Sequence, residues 1–397
     1  MPKEPSELPT GVRSTDVLTV TQFASVFTLE TIQKSLERAG KQTQRDRKLS
    51  NDMVVYFVMM LALFRNCNHR EVFRAVASAF ASFKRTRTKI EIPSAPALVQ
   101  ARARVGSEVL KEVFHSGAKV LSSPDIPGCF FKSWRCMAID GCLLDVAATA
   151  DNVNEFGQPR NQYNSASSLP QLRWVGLMEV GTHLFLQVEQ GRYSDGEITL
   201  AQNLLRSVVP DMLILADRNF YSFDFFNEID KKGAAFVCRI QRGMKFGPEQ
   251  RLSDDSVLVT IYAADDKKHL NGRKARLIQY RPAGSKNGEI VFVLTNILDP
   301  AKASAQELAH LYHERWEYEN ALDELKTHLC DSALTLRSKN PSLVKQEFWG
   351  TMMTYYVIRY TMFLAASNRY LDPDRLSFTH TVKVISRTLV RSGDFPP

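Results

Sequence analysis

The stretch WRCMAIDGCLLDVAA, residues 134–148, decides the fold of this chain. The apolar residues of 134–140 and of 142–148 predict two buried strands, and Gly141 predicts the turn between them. The first of these strands ends on Asp140. An aspartate after a strand also opens many ordinary turns, so Asp140 by itself is weak support for a functional site.

Strands and helices alternate beyond this stretch. The segments 172–180, 183–190 and 212–216 have the pattern of strands, and 196–208 and 222–232 have that of helices. This alternation predicts an α/β sheet covered by helices. The strand at 212–216 ends on Asp217, as the earlier strand ends on Asp140. Sites in such sheets form at the carboxyl ends of the strands, where both aspartates are expected.

The pattern changes again after residue 232. Residues 233–298 are almost purely strand-like and predict a β-rich insertion, with strands at 235–241, 257–263, 274–280 and 289–297. One long helix is predicted from Ser304 to Leu329, and further helices at 341–366 and 377–389. The α/β core is therefore expected in two pieces, 128–232 and 299–370, followed by a carboxy-terminal helix and tail at 371–397.

The amino-terminal part carries all the excess positive charge. Residues 1–120 hold 19 Lys and Arg against 11 Asp and Glu, and the whole chain has a net charge of +8. We expect a flexible tail at 1–20 and a helical, basic, DNA-binding domain at 21–127, with basic clusters at 45–48 and 84–89. A solvated, basic helical surface without a ligand is the alternative at this point.

The composition excludes several classes of protein. With 397 residues and 44% hydrophobic residues, the chain is long enough for two or three folded domains. No apolar run approaches the roughly 18 residues that span a bilayer, and the first 20 residues lack the apolar segment of an export signal. The six cysteines have no zinc-binding spacing. We expect a cytoplasmic protein without a membrane partner.

Four side chains of the predicted long helix form one stripe. Tyr312, Arg315, Glu319 and Lys326 fall within an arc of roughly 60° when each residue turns the helix by about 100°. An exposed ladder of salt bridges would explain Arg315 with Glu319. Such a ladder gives no reason for Tyr312 and Lys326 to lie on the same stripe, so the stripe indicates a functional surface.

Glu319 on this stripe, with the two aspartates, suggests a chemistry. Three carboxylates, Asp140, Asp217 and Glu319, form a hard oxygen site suited to Mg²⁺ or Mn²⁺. Two such ions can assist an in-line phosphoryl displacement. Arg315 and Lys326 would hold backbone phosphates, and Tyr312 would donate its hydroxyl to the same strand. The pattern predicts phosphodiester chemistry on nucleic acid.

The same residues resemble a known family. Tyr312-x2-Arg315-x3-Glu319-x6-Lys326 is similar to the YREK signature of DDE transposases of the insertion-sequence-four type, and Arg315-Trp316 to its frequent Arg-Trp pair. MAIDG at 137–141 and LADRNFYS at 215–222 resemble its two aspartate segments. LRSKNP and KQEFWG, within 336–350, resemble its carboxy-terminal helix entry, and PALVQARARVG at 96–106 more weakly resembles its amino-terminal domain.

The resemblance implies a ribonuclease-H-like core whose metal ligands are Asp140, Asp217 and Glu319, interrupted by the β-rich insertion. It further implies a cut-and-paste transposase, a metal-dependent nuclease and strand transferase. Its partners would be the double-stranded DNA of terminal inverted repeats and targets, bound by a homodimer. A hairpin end would need an aromatic platform, for which Trp316, Tyr280 and Phe292 are candidates.

Two other functions stay open at the level of the sequence. A catalytically silent DNA-binding regulator or scaffold descended from a transposase would need no set of three mutually repelling carboxylates. A structure-directed nuclease would keep the same chemistry without strand transfer.

Overall fold

The computed structural model describes residues 21–42, 49–84, 91–159, 168–246, 248–282, 290–329 and 334–387. The predicted tail at 1–20 and most of both basic clusters lie outside the described residues. In the part that is described, no helix is both long and apolar enough to cross a membrane.

The predicted amino-terminal helical domain is confirmed. A short helix at 21–26 precedes five longer ones: α1 Leu29–Arg38, α2 Asn51–Leu63, α3 His69–Lys84, α4 Ala95–Val105 and α5 Ser107–Gly117. Ser94 caps α4 by accepting a hydrogen bond from the amide of Ala97, as expected at a helix start. Helix α2 is apolar on nearly all sides beyond its first turn, and the structure accordingly buries it on nearly all sides.

All the strands that the structure describes belong to one mixed sheet. They are β1 Phe130–Phe131, β2 Trp134–Val146, β3 Gln171–Glu179, β4 Leu184–Arg192, β5 Met212–Ala216, β6 Ala235–Ile240, β7 Pro248–Arg251, β8 Val257–Ile261, β9 Arg273–Tyr280, β10 Val291–Thr295 and β11 Thr335–Leu336. Their order is β4-β3-β2-β5-β6-β10-β9-β8-β7, with β1 and β11 paired to β2.

The register of β2 and β5 brings the two aspartates to one place. These strands are parallel, and their last pair is Ile139 with Ala216. Asp140 and Asp217 each follow that pair directly, so they are neighbours where β5 ends.

The predicted turn at Gly141 was wrong. Strand β2 runs through it for 13 residues, and Gly141 pairs with Val175 of β3. A Cβ on Gly141 would lie 2.8 Å from the carboxylate of Glu197, so the glycine marks a close contact and not a bend.

The β-rich insertion continues the core sheet. Its first predicted strand, now β6, pairs in parallel with β5 and is therefore part of the core sheet itself. The reason is its apolar sequence, which is buried on both faces. Strand β10 pairs with β6, and β9, β8 and β7 follow outward. The predicted domain boundaries remain predictions.

The remaining helices cover the two faces of the sheet. They are α6 Ala150–Phe156, α7 Glu197–Leu204, α8 Phe223–Lys231, α9 Ala305–His313, α10 Trp316–Asp323, α11 Pro341–Ser367 and α12 Phe378–Arg387. Helices α7 and α8 pack on one face. Helices α9 to α12 and the amino-terminal domain pack on the other, with α11 in contact with α2, α5 and β4.

The single long helix predicted from 304 to 329 was wrong in its continuity. It is divided at Glu314 and Arg315 between α9 and α10, and it ends in a π-helical turn, Glu324–His328. Hydrogen bonds between residues three apart, as in a 3₁₀ turn, span the division. For example, the Arg315 N–H donates to the Tyr312 carbonyl at 3.3 Å.

One carboxylate joins the insertion to the start of α9. Asp254 accepts hydrogen bonds from the fully buried guanidinium of Arg276 on β9 and, at 2.7 Å, from the amide of Ala305. Arg276 also donates to the carbonyl of Ala303 at 2.7 Å.

Candidate active site

Asp140 is held by three neighbours at the end of β5. Its carboxylate accepts hydrogen bonds from the Gly141 amide at 2.7 Å and from Arg315 at 3.0 Å. Its carbonyl accepts one from the hydroxyl of Tyr318 at 2.7 Å. Burial raises the pKa of the Asp140 carboxyl to about 7; the negative charges of Asp217 and Glu319 also raise it, while Gly141 and Arg315 act against them.

Asp217 lies beside Asp140 and begins a short 3₁₀ turn, Arg218–Phe220. One carboxylate oxygen accepts the Asn219 amide at 2.7 Å, which fixes the side chain at the sheet edge. Its carbonyl accepts the thiol of Cys238 on β6 at 3.2 Å. The carboxylate is therefore held by the first turn after the strand.

Glu319 reaches the same place from α10. Its side chain is 45% exposed and lies 3.6 Å from the Arg315 guanidinium that also binds Asp140. The structure thus brings the three predicted carboxylates together, with Arg315 between Asp140 and Glu319. Among the residues that the structure describes, these three do not form a closed cluster of metal-ligand atoms within 4.8 Å of one another.

The other predicted residues surround this centre differently. Tyr312 is only 7% exposed, and burial, with charges that include Asp217 and Cys238, raises the pKa of its hydroxyl. Trp316 is 60% exposed, with the Arg315 guanidinium 5.5 Å from its ring. Lys326 lies against the thiol of Cys142, two residues beyond Asp140 on β2.

Tyr318 and Cys238 contact the site but were missed by the sequence reasoning. Tyr318 has the apolar spacing of a core residue and is fully buried, yet its hydroxyl also binds the main chain at Asp140. Its position between Glu317 and Glu319 was the only signal of this role. Cys238 gave none, because a buried cysteine on a strand is common.

A second ionic cluster lies on the other side of α10. His183, at φ 56° in the turn between β3 and β4, contacts Glu317 at 3.0 Å, Asp374 at 3.3 Å and Glu324 at 3.3 Å. Of the described residues, the group His183, Glu317 and Asp374 alone has the spacing of a possible metal site.

The geometry of this second cluster is that of an ion network. Arg359 binds Glu324 at 3.3 Å and Asp374 at 3.0 Å and supplies positive charge. Burial and Arg359 lower the pKa of His183, but its hydrogen bonds to Glu317 and Glu324 outweigh them and raise it overall. Both ring nitrogens face carboxylates, so an imidazolium satisfies the cluster without a metal.

The donor set at the first site fits a divalent cation. Three carboxylates from separate elements offer the hard oxygen ligands that such ions prefer. Burial is the main cause of the raised pKa of Asp140, and the negative charges of Asp217 and Glu319 add to it; a bound cation would favour the ionised carboxylate against both effects.

Comparisons with known proteins agree with this geometry. The model for the insertion element 4 transposase N-terminal domain matches residues 17–115, and the model for the transposase DDE domain matches 135–357. The transposase InsG for insertion sequence element IS4 of Escherichia coli (strain K12) is 27% identical over 94% of this chain and 83% of its own. The putative transposase InsZ of the same strain is 25% identical over 53% of this chain and 68% of its own.

A solved structure supports the fold. The piggyBac transposase in a synaptic complex with hairpin DNA superposes with a TM-score of 0.50 at 12% identity, covering 94% of this chain and 80% of that one. The expected ribonuclease-H-like α/β core after a helical domain is thereby confirmed. The fold, the DNA-transposase activity and a dependence on divalent metal ions all follow from one assignment: the chain belongs to the DDE transposases of the insertion-sequence-four type.

Proposed function

We propose that this transposase cuts and pastes a bacterial insertion sequence, acting on its terminal inverted repeats and on target DNA. The meeting of Asp140, Asp217 and Glu319 around one guanidinium carries the proposal. We assign these three residues as catalytic and as ligands of two Mg²⁺ (or Mn²⁺) ions. When bound, the ions supply charge stabilisation for hydrolysis of the phosphodiester bond and for strand transfer.

The protein's own groups orient this centre. The Gly141 amide and the Tyr318 hydroxyl fix Asp140 from two sides, so its carboxylate is preorganised. Arg315 balances the negative charge between Asp140 and Glu319, and its planar guanidinium also suits a phosphate. Lys326 extends the positive charge along β2. Tyr312, being buried, would contact the DNA strand only from the wall of the site.

An exposed aromatic residue supports a hairpin step. The relative of similar fold was solved with hairpin DNA. Trp316 is exposed beside the carboxylates, whereas Tyr280 and Phe292 are partly buried against the apolar cores on the two faces of the sheet. We therefore propose Trp316 as the platform on which a flipped base stacks.

Two element ends must be held together during transposition, which supports a homodimer on DNA. Because the substrate is chromosomal DNA, we place the protein in the cytoplasm in association with the nucleoid. A catalytically silent scaffold is not favoured, since the three carboxylates and their supporting contacts are intact.

The test is metal-dependent cleavage of a duplex that carries one element end and its flanking DNA. Asp140→Asn, Asp217→Asn and Glu319→Gln should each lower the Mg²⁺-dependent cleavage rate by about a thousandfold or more, because each removes one charged ligand. Binding of the same duplex should persist.

The matched control is Glu228→Gln, which neutralises an exposed carboxylate on α8 and should cleave like the unchanged protein. Adding a chelator should stop cleavage by the unchanged protein and by Glu228→Gln. Near-normal cleavage by any one of the three variants would remove that residue from the ligand set, and binding without nicking by the unchanged protein would favour the scaffold.

A further inference from the structure

A basic cavity lies between the amino-terminal helical domain and the start of α11. Its volume is about 600 Å³, and its floor is apolar, with Val58, Leu61 and Leu343 among its lining residues. Four positively charged side chains also line it: Arg65, Arg102, Arg337 and Lys339. The helical domain and the LRSKNP segment, whose role the catalytic centre does not explain, both contribute to it.

The cavity is strongly electropositive. Glu347 is the single acidic residue among the described residues that line it. Its carboxylate already accepts the amides of Arg337 at 3.1 Å and of Ser338 at 3.0 Å, and it lies 3.8 Å from Arg65. Four cations therefore face one engaged carboxylate, and the apolar floor strengthens their field because it lowers the local dielectric constant.

The charges of this cavity act on His69, which also lines it. Burial lowers the pKa of His69, and the positive charges of Arg102 and Arg337 lower it further, whereas Glu347 acts in the opposite direction. Positive potential thus prevails at the cavity wall, as an anion-binding surface requires.

The two outer cations are available to a ligand. Arg337 and Lys339 are exposed, and no carboxylate of the described part of the chain lies within 4.0 Å of either one's charged group. The Arg337 guanidinium is oriented by one hydrogen bond, at 3.1 Å, to the carbonyl of Arg65. The protein thus holds one nitrogen of an otherwise exposed guanidinium.

The cavity is connected to the catalytic centre through the sheet. Strand β11, which leads into the LRSKNP segment, pairs in parallel with β2 at Asp145 and Val146. Asp145 is five residues beyond Asp140, which corresponds to about 16 Å along a strand. Lys326 lies between them, because its carbonyl accepts the amide of Leu334, which precedes β11.

We propose that this cavity binds the DNA backbone several nucleotides from the bond that is cut. The cations Arg315 and Lys326 lie near the carboxyl half of β2, and Arg337 and Lys339 follow β11, which pairs with the end of that strand. The span of about 16 Å from Asp140 to Asp145 alone corresponds to about five nucleotides at the 3.4 Å rise of one strand. This inference rests on the proposed function, since it takes the three carboxylates as the place of cleavage.

The test is the salt dependence of binding to a duplex that carries one element end. The slope of log K against log salt is negative, and replacing both Arg337 and Lys339 by alanine should reduce its magnitude by about two and weaken binding about tenfold or more, because two phosphate contacts are lost. Lys231→Ala on α8, whose lysine is exposed on the opposite face of the sheet, is the matched control.

Two further variants separate charge from folding. Lys339→Gln alone changes an exposed side chain and should reduce the magnitude of the slope by about one. Arg337→Lys should keep most of the slope of the unchanged protein, because it keeps the charge. If the double variant binds with the slope and affinity of the Lys231→Ala control, the cavity does not hold DNA. Inorganic phosphate is a second probe: if it displaces the duplex equally well from the double variant and from the unchanged protein, the proposal is also overturned. Cleavage by Asp140→Asn, measured in parallel, tests the catalytic assignment separately.

Discussion

At the scale of single residues, Gly176 lies directly opposite Asp140 in the pair of β2 and β3. A Cβ at this position would lie 2.9 Å from the hydroxyl of Tyr318 and 2.8 Å from the ring of Phe185. Both side chains are fully buried and have little room to move. Gly176 therefore allows Tyr318 to reach the carbonyl of Asp140.

We predict that Gly176→Ala lowers both stability and catalysis. Overpacking should reduce the free energy of unfolding by about 1–3 kcal/mol, and displacement of Tyr318 should slow cleavage. Urea unfolding and single-turnover cleavage measure the two effects. Gly196→Ala is the control, since its Cβ would approach only Thr199, at 3.4 Å. Unchanged cleavage in Gly176→Ala would show that the Tyr318 contact does not orient Asp140.

Single residues differed in how far the sequence could predict them. Asp140, Asp217 and Glu319 could be named because a strand end and a helical stripe are local patterns. Tyr318 could not be given a role, since its hydroxyl meets a carbonyl 178 positions away in the chain. Contacts of that kind depend on how strands pair, which no local pattern contains.

At the scale of elements, His115 joins α5 to the edge strand β4. Its ring nitrogen bonds the carbonyl of Val188 at 3.0 Å, and its ring packs against Trp349 of α11. Burial lowers the pKa of His115 to about 4, an effect that Val188 and Glu189 oppose only in part. The imidazole is therefore neutral in the folded protein at neutral pH.

We predict that this histidine destabilises the protein in acid. Between its unfolded pKa of about 6.5 and its folded pKa of about 4, the unfolded chain takes up a proton that the folded chain does not. The stability lost as pH falls through this range should reach about 3 kcal/mol.

The comparison is between His115→Gln, which does not titrate, and the unchanged protein, by urea unfolding from neutral pH to pH 4.5. The variant should lose less stability over that range. His380→Gln, at an exposed position, is the control. Equal loss in all three proteins would contradict the prediction.

Elements were predictable where apolar patterns are local. The strand Met212–Ala216 was placed to the residue because its five residues are all buried. The division at Glu314 and Arg315 was not foreseen, since no glycine or proline marks it. At this division Arg315 forms an ion pair with Asp140, a tertiary contact that no local pattern of the sequence contains.

At the scale of the whole molecule, Gly350 lets the longest helix, α11, pack closely on α2. A Cβ there would lie 2.7 Å from the carbonyl oxygen of Val58. The hydroxyl of Thr354, one turn later, donates to the carbonyl of Met59 at 2.8 Å. This contact fastens the helical domain to the catalytic core, and it also forms one wall of the basic cavity.

We predict that Gly350→Ala loosens the helical domain selectively. The backbones of α2 and α11 must separate, which should cost about 1–3 kcal/mol. Hydrogen exchange should therefore rise in α2 and α5 more than in β2 and β5. The Gly196→Ala protein is the control here too. If exchange in α2 and α5 rises no more than exchange in β2 and β5 relative to that control, the close packing of α11 on α2 does not hold the helical domain in place.

The overall class of the molecule was predictable from alternation and charge, but the continuity of the sheet was not. A β-rich segment of 233–298 can form a separate unit or extend an existing sheet with the same apolar pattern. Only the pairing of β6 with both β5 and β10 decides between the two. Such pairings join residues far apart in sequence, beyond any local periodicity.

The Asp254 carboxylate, bonded to both Arg276 and the amide of Ala305, has a mechanical consequence. A displacement of the outer strands also acts on the first turn of α9, because the strands and the helix are both hydrogen-bonded to Asp254. That helix leads within one short turn to Arg315 and Glu319. A shift of these strands would therefore alter the position of two groups of the proposed catalytic centre, the Arg315 guanidinium and the Glu319 carboxylate.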